Sequence, residues 1–236
     1  MSYKKKLYEK YVSTFKLNEN INLNESSLKW YKEKYIKALR NIGKHKPILD
    51  LGCGSGNMLF SLRNEGYTNT KGVDISEEQI NICRKNNLNA EVQDTFDFIK
   101  NNKEKYAAVF ALDLIEHFEK DEVLFLFEEI YKMLEPGGVF IFRTPNGEGY
   151  FSGNMVYGDF THSTILTPSS AKQLAAYSGY KEVYFAESGV ICDGFINCLR
   201  LFFWKMYKSI LNIIIKTPGG YTRKVFTENM IGYCYK

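Results

Sequence analysis

The sequence predicts an α/β fold in which a mostly parallel sheet is covered by helices on both faces. The first observation is the stretch 47–60, where an apolar run of strand type ends at three glycines on alternate positions and a helical pattern follows. The second is that further apolar segments alternate with helical patterns up to residue 146. This arrangement is typical of a nucleotide-binding strand–loop–helix unit followed by further strand–helix pairs.

Length and composition indicate one domain with additions. The 236 residues, 44% hydrophobic and 25% charged, are enough to bury one large core. We expect a single domain over 1–236, divided into an N-terminal helical cap (1–46), a cofactor-binding core (47–146), a substrate lid (147–166) and a helical insertion (189–220). The formal net charge of +4 is too small to indicate nucleic acid as a partner.

The cap, residues 1–46, shows two helical patterns separated by a polar loop at 18–24. Tyr8 and Tyr11 in the first pattern either pack in the core or fold over the mouth of a ligand site. In the second case, tyrosine can face a cationic ligand or donate a hydrogen bond to a carboxylate.

The start of the chain and its cysteines predict a cytoplasmic protein. The residues after Met1 are polar and basic, unlike a secretory leader. The cysteines are Cys53, Cys83, Cys192, Cys198 and Cys234. Because they form no C-x-x-C pair, we expect reduced, mostly packed thiols and neither a disulfide framework nor a zinc site.

The glycine loop (Gly52, Gly54 and Gly56) is the predicted ligand site. Glycine tolerates positive φ and lets a ligand lie against the backbone, and the first amides of the following helix can donate to a polar group. With Asp50 the spacing is D-x-G-x-G-x-G. A dinucleotide fingerprint needs a third glycine where Asn57 stands, so a nicotinamide-dependent dehydrogenase is disfavoured. A glycine-rich turn without a ligand is the other alternative.

The run Leu49–Gly56 closely resembles the first motif of class I S-adenosylmethionine-dependent methyltransferases. The runs D-x-I-E-H-F at 113–118 and L-x-P-G-G-x-F-I-F-x-T-P-N at 134–146 resemble motifs of the same family, in the expected order. The resemblance implies a Rossmann-like, seven-stranded sheet with an antiparallel last strand, S-adenosylmethionine as cofactor, and methyl transfer. It also implies that the glycine loop and Asp50 hold the methionine part of the cofactor.

The second predicted strand, 71–75, ends in an acid. Asp74 lies close to the ~20-residue spacing at which a carboxylate reaches ribose hydroxyls in such folds. Asp74 and Ile75 are therefore predicted cofactor contacts. The alternative is that Asp74 only begins the next helix, a task that Ser76 can perform as an N-cap.

The third and fourth predicted strands, 90–94 and 106–113, end at further cofactor candidates. The resemblance assigns Asp94, Thr95 and Phe96 to the adenine end of the cofactor, although these residues also suit a helix start. It further implies that the backbone after the fourth strand, at Leu112 and Asp113, meets the cofactor.

Residues 147–166 are rich in glycine and aromatic residues and poor in aliphatic ones, which predicts a lid over the substrate. His162, with Asp159 nearby, is the first candidate for a general base, and His117 is the second. Either histidine is otherwise a residue satisfied by its neighbours, without a catalytic role. Tyr157 and Asp159 are predicted substrate contacts.

The proline and glycines at 136–138 predict the end of a helix, and a fifth strand is predicted at 139–146. Thr167 is a predicted helix cap, with Pro168 at the first position.

The C-terminal part contains a sixth predicted strand at 181–186 and a seventh at 225–235. Between them, the segment 195–215 is strongly apolar but interrupted by Arg200, Lys205 and Lys208, which disfavours a membrane span. We expect this helix to pack on the core, to form a homodimer interface or to lie on a membrane surface, in that order.

The expected reaction is O-methylation of a small molecule, which requires alignment of donor and acceptor and removal of a proton. The stretch from Asp159 to Pro168 resembles methyltransferases of bacterial surface-polysaccharide pathways. That resemblance implies a carbohydrate acceptor: a sugar, a sugar nucleotide, or a capsule or lipopolysaccharide component. A quinone or small aromatic acceptor is the alternative, and a non-catalytic cofactor-binding partner protein is the second. No metal is predicted.

Overall fold

The computed structural model describes residue 21 and residues 23–236. The prediction for Tyr11 lies outside these residues, as does that for Tyr8. The strands are β1 (Ile48–Leu51), β2 (Thr70–Asp74), β3 (Ala90–Val92), β4 (Tyr106–Leu112), β5 (Leu134–Pro145), β6 (Glu182–Glu187) and β7 (Asn229–Tyr235). The helices are α1 (Glu25–Lys34), α2 (Asn57–Asn64), α3 (Glu77–Lys85), α4 (Thr95–Asn101), α5 (Lys120–Met133), α6 (Gly153–Tyr157), α7 (Pro168–Tyr177) and α8 (Gly194–Gly219), with 3₁₀ turns at Ile36–Leu39 and Ile115–His117.

The strands form one seven-stranded sheet in the order β3-β2-β1-β4-β5-β7-β6. Strands β1 to β5 are all parallel to one another, and β7 is antiparallel to both of its neighbours, β5 and β6. The predicted mostly parallel sheet with an antiparallel last strand is therefore confirmed. Because the parallel strands end at the same edge, the segments that follow β1, β2, β3 and β4 meet there.

The central strands are apolar because both faces of the sheet are covered. On one face, Phe140 and Phe142 of β5 pack against Phe127 of α5. On the other face, Phe110 of β4 packs against Tyr35, which follows α1. Alternate residues of β4 and β5 thus belong to two different hydrophobic cores, one on each face of the sheet.

The helix caps agree with the sequence. The side chain of Ser76 accepts a hydrogen bond from the Gln79 amide ahead of α3, and Thr167 caps α7 by accepting from the Ser170 amide, with proline in the first turn. The start of strand β5 differs from the predicted one. The sequence predicts a break at the proline and glycines before residue 139, but β5 begins at Leu134, directly after α5.

The expectation of five reduced thiols is wrong for two of them. Cys192, two residues before α8, forms a disulfide with Cys198, the fifth residue of that helix, and their Cα atoms are 4.4 Å apart. The path of the chain into the start of the helix brings the two residues together, and a spacing of six residues carries no signal for this in the sequence. Cys53, Cys83 and Cys234 are buried free thiols, as predicted.

Helix α8 is the longest helix of the described chain, with 26 residues. Leu211 is its single buried residue, so core packing accounts for only a small part of this helix. In the part of the chain that the structure describes, no helix has the combination of length and hydropathy needed to cross a bilayer.

A candidate active site at the carboxyl ends of the strands

The glycine loop forms a left-handed turn between β1 and α2. Gly52, Gly54 and Gly56 have φ values of 66°, 54° and 86°, a region in which residues with a Cβ are disfavoured. A Cβ on Gly52 would lie 2.8 Å from Leu114 Cδ1, and one on Gly56 would lie 2.6 Å from Leu88 Cδ1. A Cβ on Gly54 would meet nothing closer than 3.5 Å, so space remains above the middle of the loop.

Asp74 holds the glycine loop against the end of β2. Its Oδ2 accepts a hydrogen bond from the Gly54 amide (2.9 Å) and its Oδ1 accepts one from the Ser76 amide (2.8 Å). Burial raises the pKa of Asp74, although these amide donors oppose the shift. Asp74 therefore supports the loop as well as the start of α3, while the neighbouring Ile75 is exposed.

Asp94 caps α4. Its Oδ1 accepts from the amides of Phe96 (2.8 Å) and Asp97 (3.2 Å), so the helix-start interpretation of this residue is confirmed. Both bonds reach the same oxygen, which leaves Oδ2 for another donor. Thr95 is buried, and the Phe96 ring lies 4.7 Å from that of Phe118, centroid to centroid. A short aromatic wall thus stands at the end of β3.

Asp113, directly after the half-buried Leu112, forms a bidentate ion pair with Arg143 of β5. The Arg143 Nε donates to Asp113 Oδ1 over 2.6 Å, and its Nη2 donates to Oδ2. Asp113 has a positive φ of 55°, an uncommon conformation for a residue with a side chain. The Arg143 guanidinium lies 5.9 Å from the Trp30 ring of α1, so the described part of the cap approaches this edge.

Beside the ion pair lies a group that we call the histidine cluster: Glu116, His117 and His162. One potential ligand atom from each of the three lies within 4.8 Å of the others, and the two imidazole centroids are 4.9 Å apart. The two histidines, predicted separately as candidate bases, are thus brought together. Glu116 is a member that was not predicted, although it stands in the D-x-I-E-H-F run.

Hydrogen bonds orient both rings of the cluster. The Thr161 hydroxyl donates to Asp159 Oδ1 (2.6 Å), so its oxygen accepts from Nδ1–H of His117 (2.8 Å). Nδ1–H of His162 donates to the Val156 carbonyl (3.1 Å). When either ring is neutral, its lone pair is therefore on Nε2. Asp159 thus acts through Thr161 on His117, whereas the exposed Tyr157 lies outside this network.

The surroundings of Glu116 and His117 favour the neutral forms of these two groups. Burial and the neighbouring His162 lower the pKa of His117 to about 4. Burial and the nearby Asp113 raise the pKa of Glu116 to about 8. Burial alone would raise the pKa of Asp159. The two hydrogen bonds from Thr161 and the two adjacent histidines outweigh burial, so the pKa of Asp159 is lowered.

The lid is tied to the cluster through its backbone. The amides of Ser163 (2.7 Å) and Thr164 (3.1 Å) donate to the carbonyl oxygen of Glu116, and the Thr144 hydroxyl donates to the Glu116 carboxyl group (3.0 Å). The buried hydroxyl of Thr164 has no hydrogen-bond partner among the described residues. The Thr164 hydroxyl is thus a buried polar group beside the cluster with unused hydrogen-bonding capacity among the described residues.

The histidine cluster has the chemistry of a divalent-cation site. Two imidazole nitrogens and a carboxylate oxygen are ligands that Zn²⁺, Mn²⁺ and Fe²⁺ accept. The hydrogen bonds from each Nδ1–H are the outer contacts that orient metal-binding histidines. These three residues can hold a cation, an arrangement that sequence reasoning did not predict because His162 is far along the chain from the other two.

Comparisons with known proteins agree with this geometry. Residues 27–184 match the Methyltransf_23 family, described as a methyltransferase domain. The ubiquinone biosynthesis O-methyltransferase of Hydrogenovibrio crunogenus is 27% identical over 163 residues, which are 62% of this chain and 66% of that protein. The chain spans about half to two thirds of the length of the first curated relatives that it matches.

Solved structures share the fold. A SAM-dependent methyltransferase from Archaeoglobus fulgidus, 19% identical, covers 100% of both chains with a TM-score of 0.67. Magnesium protoporphyrin IX methyltransferase from Synechocystis, solved with bound SAH, is 11% identical and has a TM-score of 0.61 over 98% of this chain and 99% of that one. The chain therefore belongs to the Methyltransferase domain family, and its fold is that of class I S-adenosylmethionine-dependent methyltransferases.

Proposed function

We propose that the protein transfers the methyl group of S-adenosylmethionine to the hydroxyl of a small aromatic molecule of the quinone-precursor type. Three findings support this: the family, the relatives named ubiquinone biosynthesis O-methyltransferases, and a histidine cluster beside the predicted cofactor edge. The sequence alone gives this aromatic acceptor as the alternative to a carbohydrate. The relatives favour it over the carbohydrate expected from the Asp159–Pro168 stretch.

The residues at the sheet edge fit S-adenosylmethionine. The left-handed glycine loop offers bare backbone with space at Gly54 for the methionine part. Asp74 and Asp94 lie at the ends of the adjacent strands β2 and β3, where carboxylates can accept from ribose hydroxyls and from the adenine amino group. When bound, S-adenosylmethionine supplies a methyl group activated on a sulfonium.

The histidine cluster supplies the remaining requirement, removal of the acceptor proton. As the carbon–oxygen bond forms and the carbon–sulfur bond breaks, the acceptor oxygen must lose its hydrogen. His162 suits this role because Nδ1–H is fixed on the Val156 carbonyl and its lone pair is on Nε2. His117, oriented by Thr161 and Asp159, also has its lone pair on Nε2 and is the alternative acceptor of this proton. This arrangement of oriented imidazoles is the observation that carries the proposal.

A sugar hydroxyl is the second candidate acceptor. It is favoured by the D-x-T-H stretch itself, since Asp159, Thr161 and His162 all lie in or beside the histidine cluster. The chemistry of proton removal would be the same. The two acceptors differ in the surface that must bind the rest of the molecule.

An isotope-transfer assay tests the proposal. The protein is incubated with methyl-labelled S-adenosylmethionine and, separately, with a polyprenyl-substituted dihydroxyphenol and a panel of sugar nucleotides. We expect label in a methyl ether of the phenol. Label only in a sugar nucleotide would overturn the aromatic acceptor, and binding of the cofactor without transfer to either class would indicate a non-catalytic partner protein.

Thr161 provides the matched variants for this assay. Thr161→Val removes the hydroxyl that orients His117, so we expect turnover to fall by about 10–100-fold, the range found when a metal-binding histidine loses its outer hydrogen bond. Thr161→Ser keeps the hydroxyl and should retain most activity. Equal activity of the two variants would contradict the role of this hydrogen bond.

A further inference from the structure

Helix α8 presents an apolar surface to solvent. Nine large apolar side chains of this helix are between 44% and 83% exposed. We call them the outer stripe: Phe195, Ile196, Leu199, Phe202, Phe203, Met206, Ile210, Ile213 and Ile214. Their spacing of three or four residues places them along one side of a helix about 39 Å long. A continuous row of nine exposed apolar side chains is unusual on a protein surface that contacts only solvent.

The inner side of α8 is held by polar contacts. The indole nitrogen of Trp204 (3.0 Å) and the ammonium of Lys208 (2.7 Å) both donate to Glu187 Oε2. The Asn212 side chain exchanges two hydrogen bonds with the backbone of Arg223. An ordinary surface helix buries its apolar side and exposes its polar side. In α8 most of the apolar side chains face outward.

The charges on α8 are all of one sign. Residues 194–219 contain Arg200, Lys205, Lys208 and Lys216 and no acidic residue. Arg200, Lys205 and Lys216 are exposed, whereas Lys208 pairs with Glu187 beneath the helix. Pairing of this face with a second copy would bring two basic helices together, with no acid on either helix to compensate. An anionic lipid surface is complementary in both respects, apolar beneath and negative at the headgroups.

The lid joins the same surface. The Tyr150 ring of the lid lies 6.1 Å from that of Tyr207 on α8, and Arg223 donates a hydrogen bond to the Glu148 carbonyl. Phe151 and Tyr157 of the lid are also exposed aromatic side chains. Such residues are typical of the boundary between headgroups and acyl chains.

We propose that α8 is an interfacial helix that docks the protein on an anionic phospholipid bilayer, with the outer stripe inserted at the boundary between headgroups and acyl chains. Docking in this orientation places the lid beside the lipid. The proposed docking depends on the helix and not on the identity of the methyl acceptor, so a lipid-binding measurement tests it without an assay of activity.

Vesicle flotation of the full chain provides this measurement. We expect the protein to float with phosphatidylglycerol-containing vesicles at least about tenfold more than with pure phosphatidylcholine vesicles, because several basic side chains lie near the surface. The double variant Phe203→Ser with Ile210→Ser should lose this binding. Tyr177→Ser, which removes an exposed aromatic ring on α7, is the matched control and should float like the wild type.

Two further measurements decide among the outcomes. Unfolding midpoints should be alike for all three proteins, since the substituted side chains are exposed, and light scattering reports the oligomeric state. Lack of flotation by the wild type, or flotation that survives the double variant, would overturn the proposal. A wild-type dimer that the double variant converts to monomer, without any lipid binding, would assign the outer stripe to a second copy.

Discussion

Gly56 illustrates, at the scale of a single residue, why the loop after β1 must contain glycines. Its φ of 86° lies in the left-handed region, and an added Cβ would approach both Leu88 Cδ1 (2.6 Å) and Cys83 Sγ (2.9 Å). The residue thus meets a conformational and a packing restriction at once. Gly66, at the end of α2, has nearly the same φ of 85°, but a Cβ added there would meet nothing within 4 Å.

These two glycines form a matched pair for mutation. Gly66→Ala should lower the free energy of unfolding by about 1–2 kcal/mol, because alanine must adopt the left-handed conformation. Gly56→Ala should lower it by about 1–3 kcal/mol more, because the added Cβ also overpacks its surroundings. Urea titration measures the difference. Calorimetry should show weaker binding of S-adenosylmethionine by Gly56→Ala alone. Equal losses of stability would contradict the packing argument.

Asp50 shows how a buried carboxyl group links stability to pH. Its side chain is 2% exposed, and burial, with the neighbouring Asp74, raises its pKa well above the ordinary value. The native chain therefore keeps a proton that the unfolded chain releases as the pH rises above about 4. In that range the native state binds more protons, so this group lowers the free energy of unfolding as pH increases.

Asp50→Asn removes this dependence. We expect the free energy of unfolding of the variant, relative to the wild type, to rise between pH 4 and neutral pH, because asparagine has no proton to lose. Denaturant titration at several pH values measures it, and the comparison at the lowest pH isolates the constant effect of the amide. A difference that stays constant over the range would show that Asp50 does not titrate in the native state as argued.

At the scale of the element, local patterns predicted local structure well. The apolar runs of β1 and β4, the glycine loop and the cap at Thr167 each depend on neighbours within a few residues, so the sequence contains the necessary signal. The predicted start of β5, after the proline and glycines, is wrong. The strand begins earlier because Leu134 pairs with Tyr106, which extends it across a segment whose proline and glycines favour a break. Tertiary pairing outweighed local preference there.

The surroundings of α8 could not be predicted from its own residues. Its composition is compatible with core packing, a dimer interface or a membrane surface, and the structure, with Leu211 as the single buried residue of the helix, disfavours the first of these. The disulfide between Cys192 and Cys198 depends in the same way on the path of the loop before the helix.

At the scale of the whole molecule, the site depends on contacts between distant segments. The 3₁₀ turn after β4 contributes Glu116 and His117, and the lid contributes His162 and the Thr161–Asp159 pair. The backbone bonds from Ser163 and Thr164 to Glu116 bring these parts together. Both histidines could be predicted from the sequence as separate candidates, but their proximity follows from the sheet order and the fold of the lid.

This proximity leads to a prediction about metal. If the histidine cluster holds a divalent cation, chelation should lower methyl transfer by about 10²-fold or more, since the cation would bind and acidify the acceptor hydroxyl. Binding of S-adenosylmethionine should persist, because the glycine loop, Asp74 and Asp94 contribute no residue to the cluster. Activity and calorimetry on the same chelated sample measure the two effects.

Direct titration with Mn²⁺ or Zn²⁺ completes the test of this site. If the cluster holds a cation, the wild type should bind one equivalent per chain, and Glu116→Gln or His162→Ala should lose this binding, since each removes one of three ligands. Asp121→Asn, an exposed acid in the first turn of α5, is the control and should bind like the wild type. Full activity in a sample free of bound metal would instead leave proton removal to the imidazoles alone, with His162 on the lid as the first acceptor of the proton and His117 as the alternative.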